Sequence, residues 1–259
     1  MPELPEVETI VRELAPRITG RHILSAEILH LRIVRYCAAD LSQRLAGRRI
    51  LEVGRHGKFI LIRLDEGWLT IHLGMTGQLL IDGTPGIHTR AVFRLDDCTV
   101  VYDDARMFGS IEWSPEPGRT LRLGPDALNS PEIPPELLQR RAPVKAVLLN
   151  QSVFSGVGNI YADEALFRAG IHPRRRADRL SRNSAARLIE AVREVLAEAV
   201  EHRGSSVSDY VDTEGRRGGF QTRHLVYGRE GLPCSRCGRP IRKIVVAQRG
   251  THYCPACQR

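Results

Sequence analysis

Hydrophobic positions change their spacing several times along the chain, and each change marks a different kind of element. Over residues 5–14, Val7, Ile10, Val11 and Leu14 recur at i, i+3, i+4 and i+7, which predicts an amphipathic helix. Pro5 suits its first turn, and Glu6 and Glu8 complement the positive end of the helix dipole. From Ile23 to Trp113 the pattern becomes short β-branched and aromatic runs, among them ILEV, KFILIRL, WLTIHLG, AVFRL and TVVYD. Asp-Glu-Gly, Asp-Gly-Thr-Pro-Gly and Asp-Asp punctuate these runs, as expected for an antiparallel β-sandwich or barrel. Pro115, Pro117, Pro125, Pro131, Pro134 and Pro135 then mark a linker. The helical period returns with Leu188, Ile189, Val192, Leu196 and Val200, inside a stretch expected to be helical from about 135 to 203. Residues 204–231, rich in Gly, Arg and Ser, predict a loop followed by a strand. The fold class is therefore α+β and multidomain.

The last stretch carries the sharpest spacing. Cys234-x2-Cys237 and Cys254-x2-Cys257 are separated by 16 residues, the pattern of a zinc ribbon. Each C-x2-C pair offers two thiolates from one turn, and two such turns close a tetrahedral site with no open position for catalysis. One structural zinc ion is expected. Two disulfides would use the same cysteines, but nothing at the N-terminus resembles a secretory signal, and thiols in the cytosol stay reduced. The intervening residues suit a two-stranded hairpin turning near Arg249-Gly250. Cys37 and Cys98 are isolated and read as buried or incidental thiols.

Composition adds a partner class. The chain has 259 residues, 42% hydrophobic and 26% charged, enough for one large domain or a few small ones with a real core. No apolar run approaches the ~20 residues of a membrane span. The acidic, signal-free start points to a cytoplasmic protein. The formal charge is +8, and the basic residues cluster: residues 231–259 hold six of them and no Asp or Glu, and Arg174-Arg175-Arg176 forms a second run. Such clustering suits a polyanion, most commonly nucleic acid. Only three of the 38 basic residues are lysines, Lys58, Lys145 and Lys243, and lysine can release a proton where arginine effectively cannot.

Three strings occur together: MPELPEVET at the start, GVGNIYADEALF in the middle and YCPACQ at the end. On these, over essentially its whole length, the chain resembles the formamidopyrimidine-DNA glycosylase family, and the Leu-Pro-Glu-Val-Glu-Thr opening separates it from the related endonuclease VIII group. The resemblance implies a glycosylase and abasic-site lyase acting on oxidised purines or abasic sites in double-stranded DNA; a monomer is the default expectation. It implies a catalytic β-sandwich domain over 1–115 and a linker over 116–134. A helix–two-turn–helix domain with a lesion-capping loop would follow over 135–231, and a zinc-ribbon hairpin over 232–259.

The chemistry can be argued on the residues. If Met1 is removed, Pro2 has a free secondary amine, whose unperturbed pKa of roughly 8 leaves a sizeable neutral fraction at neutral pH. That amine can attack the sugar C1′ and expel the base. The resulting iminium stays positive and acidifies the C2′ proton, which opens the way to β-elimination and then δ-elimination. Glu3 is implied as the general acid/base and Lys58 as a phosphate contact and proton donor. Arg249 matches an arginine linked to δ-elimination. An arginine is a poor acid, so phosphate clamping is the better expectation for it.

Gly156-Val157-Gly158-Asn159 would bring backbone N–H groups and the Asn159 side chain to a phosphate. A flipped base leaves a gap. The resemblance assigns Met75, Arg106 and Phe108 to fill it, Met and Phe wedging between bases and Arg contacting the orphaned partner base. His88, Arg141, Lys145 and Tyr227 are further DNA contacts by resemblance, and residues 215–222 occupy the place of a loop over the flipped base. Met107, Ser155, Asn150 and Ser152 depart from the family pattern, which leaves the preferred lesion open. A pyrimidine-preferring relative, or a DNA-binding module without catalysis, would share much of this sequence.

Overall fold

The structure is a computed structural model that describes residues 2–35, 40–117 and 120–259. Met1 and Cys37, both named above, lie outside the described residues. Two compact units emerge, one made of residues 1–122 with 202–219 and the other of residues 123–201 with 220–259.

The first unit begins with helix α1, Leu4–Ile18. Val7, Ile10, Val11 and Leu14 are buried as their spacing predicts, and Ile18 continues the stripe past Pro16. Among the described residues nine strands follow: β1 Ile23–Ile28, β2 Val34–Arg35, β3 Ile50–His56, β4 Phe59–Leu64, β5 Trp68–His72, β6 Gln78–Ile81, β7 Thr89–Leu95, β8 Thr99–Asp103 and β9 Ser110–Ser114. They form a four-stranded sheet in the order β1-β7-β8-β6 and a five-stranded sheet in the order β2-β9-β5-β4-β3. All pairings are antiparallel except β2 with β9.

Side chains alternate across β4, where Ile60, Ile62 and Leu64 are buried and Arg63 is exposed. These buried residues share one core with Leu14, Ile23, Leu69, Leu79, Phe93 and Val100 from α1 and both sheets. Each such burial is worth roughly 1.5–3 kcal/mol. This is the sandwich the run lengths predict.

Residues 202–219 were expected with the helical domain but cluster with the sandwich. The reason is chemical: Tyr210 enters the sandwich core, and Glu13 of α1 accepts from the Thr213 backbone at 3.1 Å and from its hydroxyl at 2.8 Å. Arg203 bridges Glu13 and the buried Asp212.

The second unit holds helices α3 Pro135–Gln139, α4 Val144–Leu148, α5 Asn159–Ala169 and α6 Arg182–Glu201, after a short α2, Leu41–Leu45, in the first unit. Its hairpin is β10 Arg242–Val246 with β11 Arg249–Tyr253. Helix α5 is buried from Ile160 to Phe167, including the charged Asp163 and Glu164. A central helix loses the polar face that marks a surface one.

Two expectations are corrected here. No strand forms in residues 204–231, where a single 3-10 turn, Phe220–Arg223, is the only regular element. The N–H groups of Leu225, Val226 and Tyr227 that a ladder would have used all donate to the Glu164 carboxylate, at 2.8–2.9 Å. The ribbon hairpin also turns two residues earlier than expected. Val246 pairs with Arg249, so Ala247 and Gln248 form the two-residue loop, with φ of 49° and 59°. Both positive angles are what a type I′ turn requires. Gly250, taken as the turn glycine, lies in the strand.

Candidate active site and nucleic-acid contacts

In the first unit Pro2 is buried at the start of α1, and Glu3 is the N-cap residue, only 2% exposed. Glu6, also buried, ties this start in two directions. Its Oε2 accepts the Glu3 N–H at 2.7 Å, and its Oε1 accepts the Ser205 N–H at 2.7 Å. Gly204 lies against this carboxylate at φ 75°, where any Cβ would meet it. The chain end that would carry the nucleophile is therefore held by helix capping and by the 202–219 segment together. Lys58 is buried in the two-residue turn between β3 and β4. Three residues before it, Arg55 binds Glu8 of α1 at 2.6 Å, joining that hairpin to the helix that begins beside Pro2.

Met75 and Phe108 are exposed, Met75 at 36% and Phe108 at 50%, so neither belongs to the sandwich core. They sit on two adjacent turns. Buried Asp104 joins these turns by accepting from Thr76 Oγ1 at 2.6 Å and from the Gly109 N–H at 2.8 Å. Gly74, at φ 62°, touches the Phe108 backbone so closely that a side chain there would collide with it. Arg106 stacks over the Phe108 ring at 4.7 Å and donates its N–H to Thr76 Oγ1 at 3.1 Å. Met107 turns inward and packs on the core at φ 53°. His88 is exposed on the loop whose carbonyl accepts the Asp104 N–H at 2.9 Å.

In the second unit the Gly156–Gly158 turn opens α5 directly. Gln151 shapes it, accepting the Gly156 N–H at 2.9 Å and donating to the Val157 carbonyl at 2.9 Å. The N-cap residue of α5 is Gly158, whose backbone is extended at φ −123° and which has no side chain to cap the helix. Asn159, the first residue of α5, donates its Nδ2 to the Gly250 carbonyl at 3.0 Å. Tyr227 is half-buried, its backbone held by Glu164 and its ring 5.1 Å from that of His252. Burial pushes the Glu164 carboxyl up, against three backbone N–H groups that favour its ionised form. Arg249 and Arg141 are exposed. Among the described residues Arg249 has no ion-pair partner.

Lys145, expected to touch DNA, is placed otherwise. It is completely buried, 2.6 Å from Asp163 Oδ1, and donates to Thr251 Oγ1 at 2.8 Å and to the Gly250 carbonyl at 3.3 Å. With no exposed surface on the side chain, its ammonium serves β11 rather than a phosphate in this structure. The buried counter-charge on α5 is the cause.

No disulfide joins the four ribbon cysteines in this structure. Their sulfurs lie within 4.8 Å of one another, with Cys234 to Cys257 at 3.9 Å and Cys237 to Cys254 at 3.5 Å. A tetrahedral zinc with ~2.3 Å bonds needs sulfurs about 3.8 Å apart, so the cluster fits that ion. Cys254 is fully buried beside Phe167 of α5. Among the described residues no helix is long and apolar enough to cross a membrane.

Asp104 and Gln151 have no sequence signal of their own, whereas Glu6 stands at the helix start beside Pro2 and Asp163 and Glu164 lie within the GVGNIYADEALF string, with nothing in the string to show their partners. Each is a common polar residue whose role depends on a partner elsewhere in its unit. Only the i, i+3 spacing of Glu3 and Glu6 hints at a reciprocal helix cap.

Comparisons with known proteins agree along the whole chain. Residues 1–111 match the formamidopyrimidine-DNA glycosylase N-terminal domain, and residues 123–211 match the formamidopyrimidine-DNA glycosylase H2TH domain. Residues 231–259 match a zinc finger found in FPG and IleRS. The formamidopyrimidine-DNA glycosylase of Solibacter usitatus is 53% identical over 264 aligned residues, covering 100% of each chain. The crystal structure of the MutM (Fpg) protein from Thermus thermophilus superposes with a TM-score of 0.90 at 47% identity, covering 99% of this chain and 98% of the other. The Lactococcus lactis Fpg, solved with DNA containing an abasic site, gives a TM-score of 0.91 at 34% identity over 100% of both chains. Matched from end to end at this level of identity, the chain belongs to the formamidopyrimidine-DNA glycosylase family.

Proposed function

We propose that this DNA glycosylase excises oxidised purines, 8-oxoguanine and formamidopyrimidines, from double-stranded DNA, and that the Pro2 nitrogen is the nucleophile for both base removal and strand cleavage. The coarser assignment, a DNA glycosylase of repair, rests on family membership. The observation that carries the finer one is the start of α1: Pro2 and Glu3 are buried there beside Glu6, which fixes the Glu3 backbone.

With Met1 removed, the Pro2 nitrogen attacks C1′ of the damaged nucleotide as the base leaves. Glu3 supplies the proton that the departing base or the opening sugar ring takes up. The nitrogen–C1′ bond becomes an iminium, loss of a C2′ proton expels the 3′ phosphate, and a second elimination expels the 5′ phosphate. Lys58, His88, Arg141, Asn159, Tyr227 and Arg249 hold the DNA strand, most of them through phosphates. Met75 and Phe108 fill the gap left by the flipped base, with Arg106 toward the partner base. Zinc at Cys234, Cys237, Cys254 and Cys257 is structural and contributes no step.

Borohydride trapping tests the reading on duplexes with one 8-oxoguanine, one oxidised pyrimidine or one abasic site. Covalent protein–DNA adducts are expected on the first and third. Preferential trapping on the pyrimidine would overturn the purine assignment, and no trapping on any duplex would leave a DNA binder without this chemistry.

The wedge residues give a separate prediction. Because both are exposed, Met75→Ala and Phe108→Ala should change stability by no more than about 0.5 kcal/mol. Excision of 8-oxoguanine should still fall by roughly tenfold or more, since each truncation removes stacking worth about 1–3 kcal/mol per base. Single-turnover excision beside thermal melting checks this, and an unchanged rate would exclude insertion.

A further inference from the structure

Asp163 is the one fully buried carboxylate of α5 that faces a fully buried lysine. It stands four residues after Asn159, so the two side chains lie on one face of the helix. An ion pair taken completely out of water is costly to desolvate and stabilises a fold poorly, so its partners say what it is for. Asp163 Oδ1 lies 2.6 Å from Lys145 Nζ, and Oδ2 accepts the His252 backbone N–H at 2.8 Å. Lys145 in turn reaches Thr251 Oγ1 at 2.8 Å and the Gly250 carbonyl at 3.3 Å, and Asn159 donates to the same carbonyl at 3.0 Å. Residues 250, 251 and 252 are thus each gripped by a side chain of α4 or α5. Arg249 is the next residue, exposed at the end of the strand, and the Ala247–Gln248 turn precedes it.

The zinc site does not fix this end of the hairpin. Cys254 is five residues from Arg249, roughly 17 Å along an extended strand. A two-stranded ribbon with no third strand twists freely unless something holds its tip.

We infer that Asp163 is a positioning residue: acting through Lys145 and the β11 backbone, it holds Arg249 in a fixed place relative to Asn159 and the start of α5, so that the two side chains grip the DNA backbone as one edge. The inference rests on the phosphate-binding reading of Asn159 and Arg249 above.

Asp163→Asn, made in the full-length zinc-loaded chain, removes the charge that orders Lys145 while keeping the shape. Zinc content, melting temperature, affinity for abasic-site duplex, trapping rate at saturating protein and the ratio of δ- to β-elimination ends are measured together. Affinity should fall about tenfold and the δ-to-β ratio about fivefold, with a much smaller loss in the trapping rate at saturation and zinc still at one ion per chain. A second variant, Asp163→Leu with Lys145→Met, replaces the pair by apolar side chains of similar size. It should recover most of the melting temperature and none of the affinity or product ratio.

Recovery of affinity and ratio in that pair, or parent-like values in Asp163→Asn, would reduce the ion pair to a packing feature and overturn the inference. Arg249→Ala and Asn159→Ala separate the two levels. If both weaken binding while Asp163→Asn does not, the positioning role alone fails. If neither weakens it, the phosphate reading fails with it.

Discussion

Adding a single residue in front of Pro2 should abolish borohydride trapping and base excision, lowering the rate by at least about 10⁴-fold, the scale seen when an enzyme loses its nucleophile. An extension turns the secondary amine into an amide. The nitrogen lone pair is then delocalised into the carbonyl and cannot attack C1′. The same holds for any fraction of the protein that keeps Met1, so the mass of the mature chain should show Met1 absent in fully active enzyme. The contacts that hold the chain start remain available in the extended protein: Glu6 still accepts from Glu3 and Ser205, and Arg55 still binds Glu8. Loss of activity with the fold retained is thus the expected signature, measured by trapping beside thermal melting. Trapping that survived the extension would move the nucleophile to another amine, with Lys58 the first to test.

Stripping zinc should produce the second large effect. The ribbon has one two-stranded hairpin and a small core of Phe167, Val226, Cys234, Ile241 and Cys254. An isolated hairpin is marginal in water, whereas structural zinc contributes roughly 10–16 kcal/mol to the folding of such modules. Chelation, or Cys254→Ser at the fully buried ligand, should therefore unfold the hairpin and weaken binding of abasic-site duplex by about 100-fold or more. The sandwich and the α5–α6 helices have cores of their own, so the far-ultraviolet circular dichroism should change little. Titration of DNA binding by fluorescence anisotropy, before and after metal removal, measures the effect. Undiminished affinity in the stripped protein would mean that Arg249 and its hairpin contribute nothing to the grip.

The two experiments address opposite ends of the chain and separate chemistry from binding. Blocking Pro2 should leave the phosphate contacts in place, while removing zinc should leave the Pro2 amine intact but poorly supplied with DNA. A variant set that failed to divide in this way would argue against the distribution of roles between the two compact units.

What the sequence by itself determined is what depends on neighbours within a few residues. The stripe of α1, the alternation of β4, the strand-dense region from Ile23 to Trp113 and the paired C-x2-C turns are all local patterns. Local geometry enforces them: 3.6-residue and 2-residue periods place side chains on one face whatever lies opposite. The placement of Pro2 and Glu3 together at the start of α1 was legible for the same reason, since adjacency in sequence is adjacency in space. Tertiary structure alone decided the rest.

Lys145, a DNA contact by resemblance, is buried in this structure against a carboxylate from another helix. Glu164 cancelled the strand expected after residue 204 by taking the N–H groups of 225–227. The Ala247–Gln248 loop took the positive φ values that Gly250 was expected to supply, because the register of β10 against β11 fixes which residues must turn. Residues 202–219 joined the sandwich because Glu6 and Glu13, about two hundred positions earlier, accept their N–H groups. Except in the hairpin, where two neighbouring strands set the register, the deciding partner belongs to another element of the chain. A buried polar group must find its hydrogen bond wherever the fold provides one, and no local period encodes that choice.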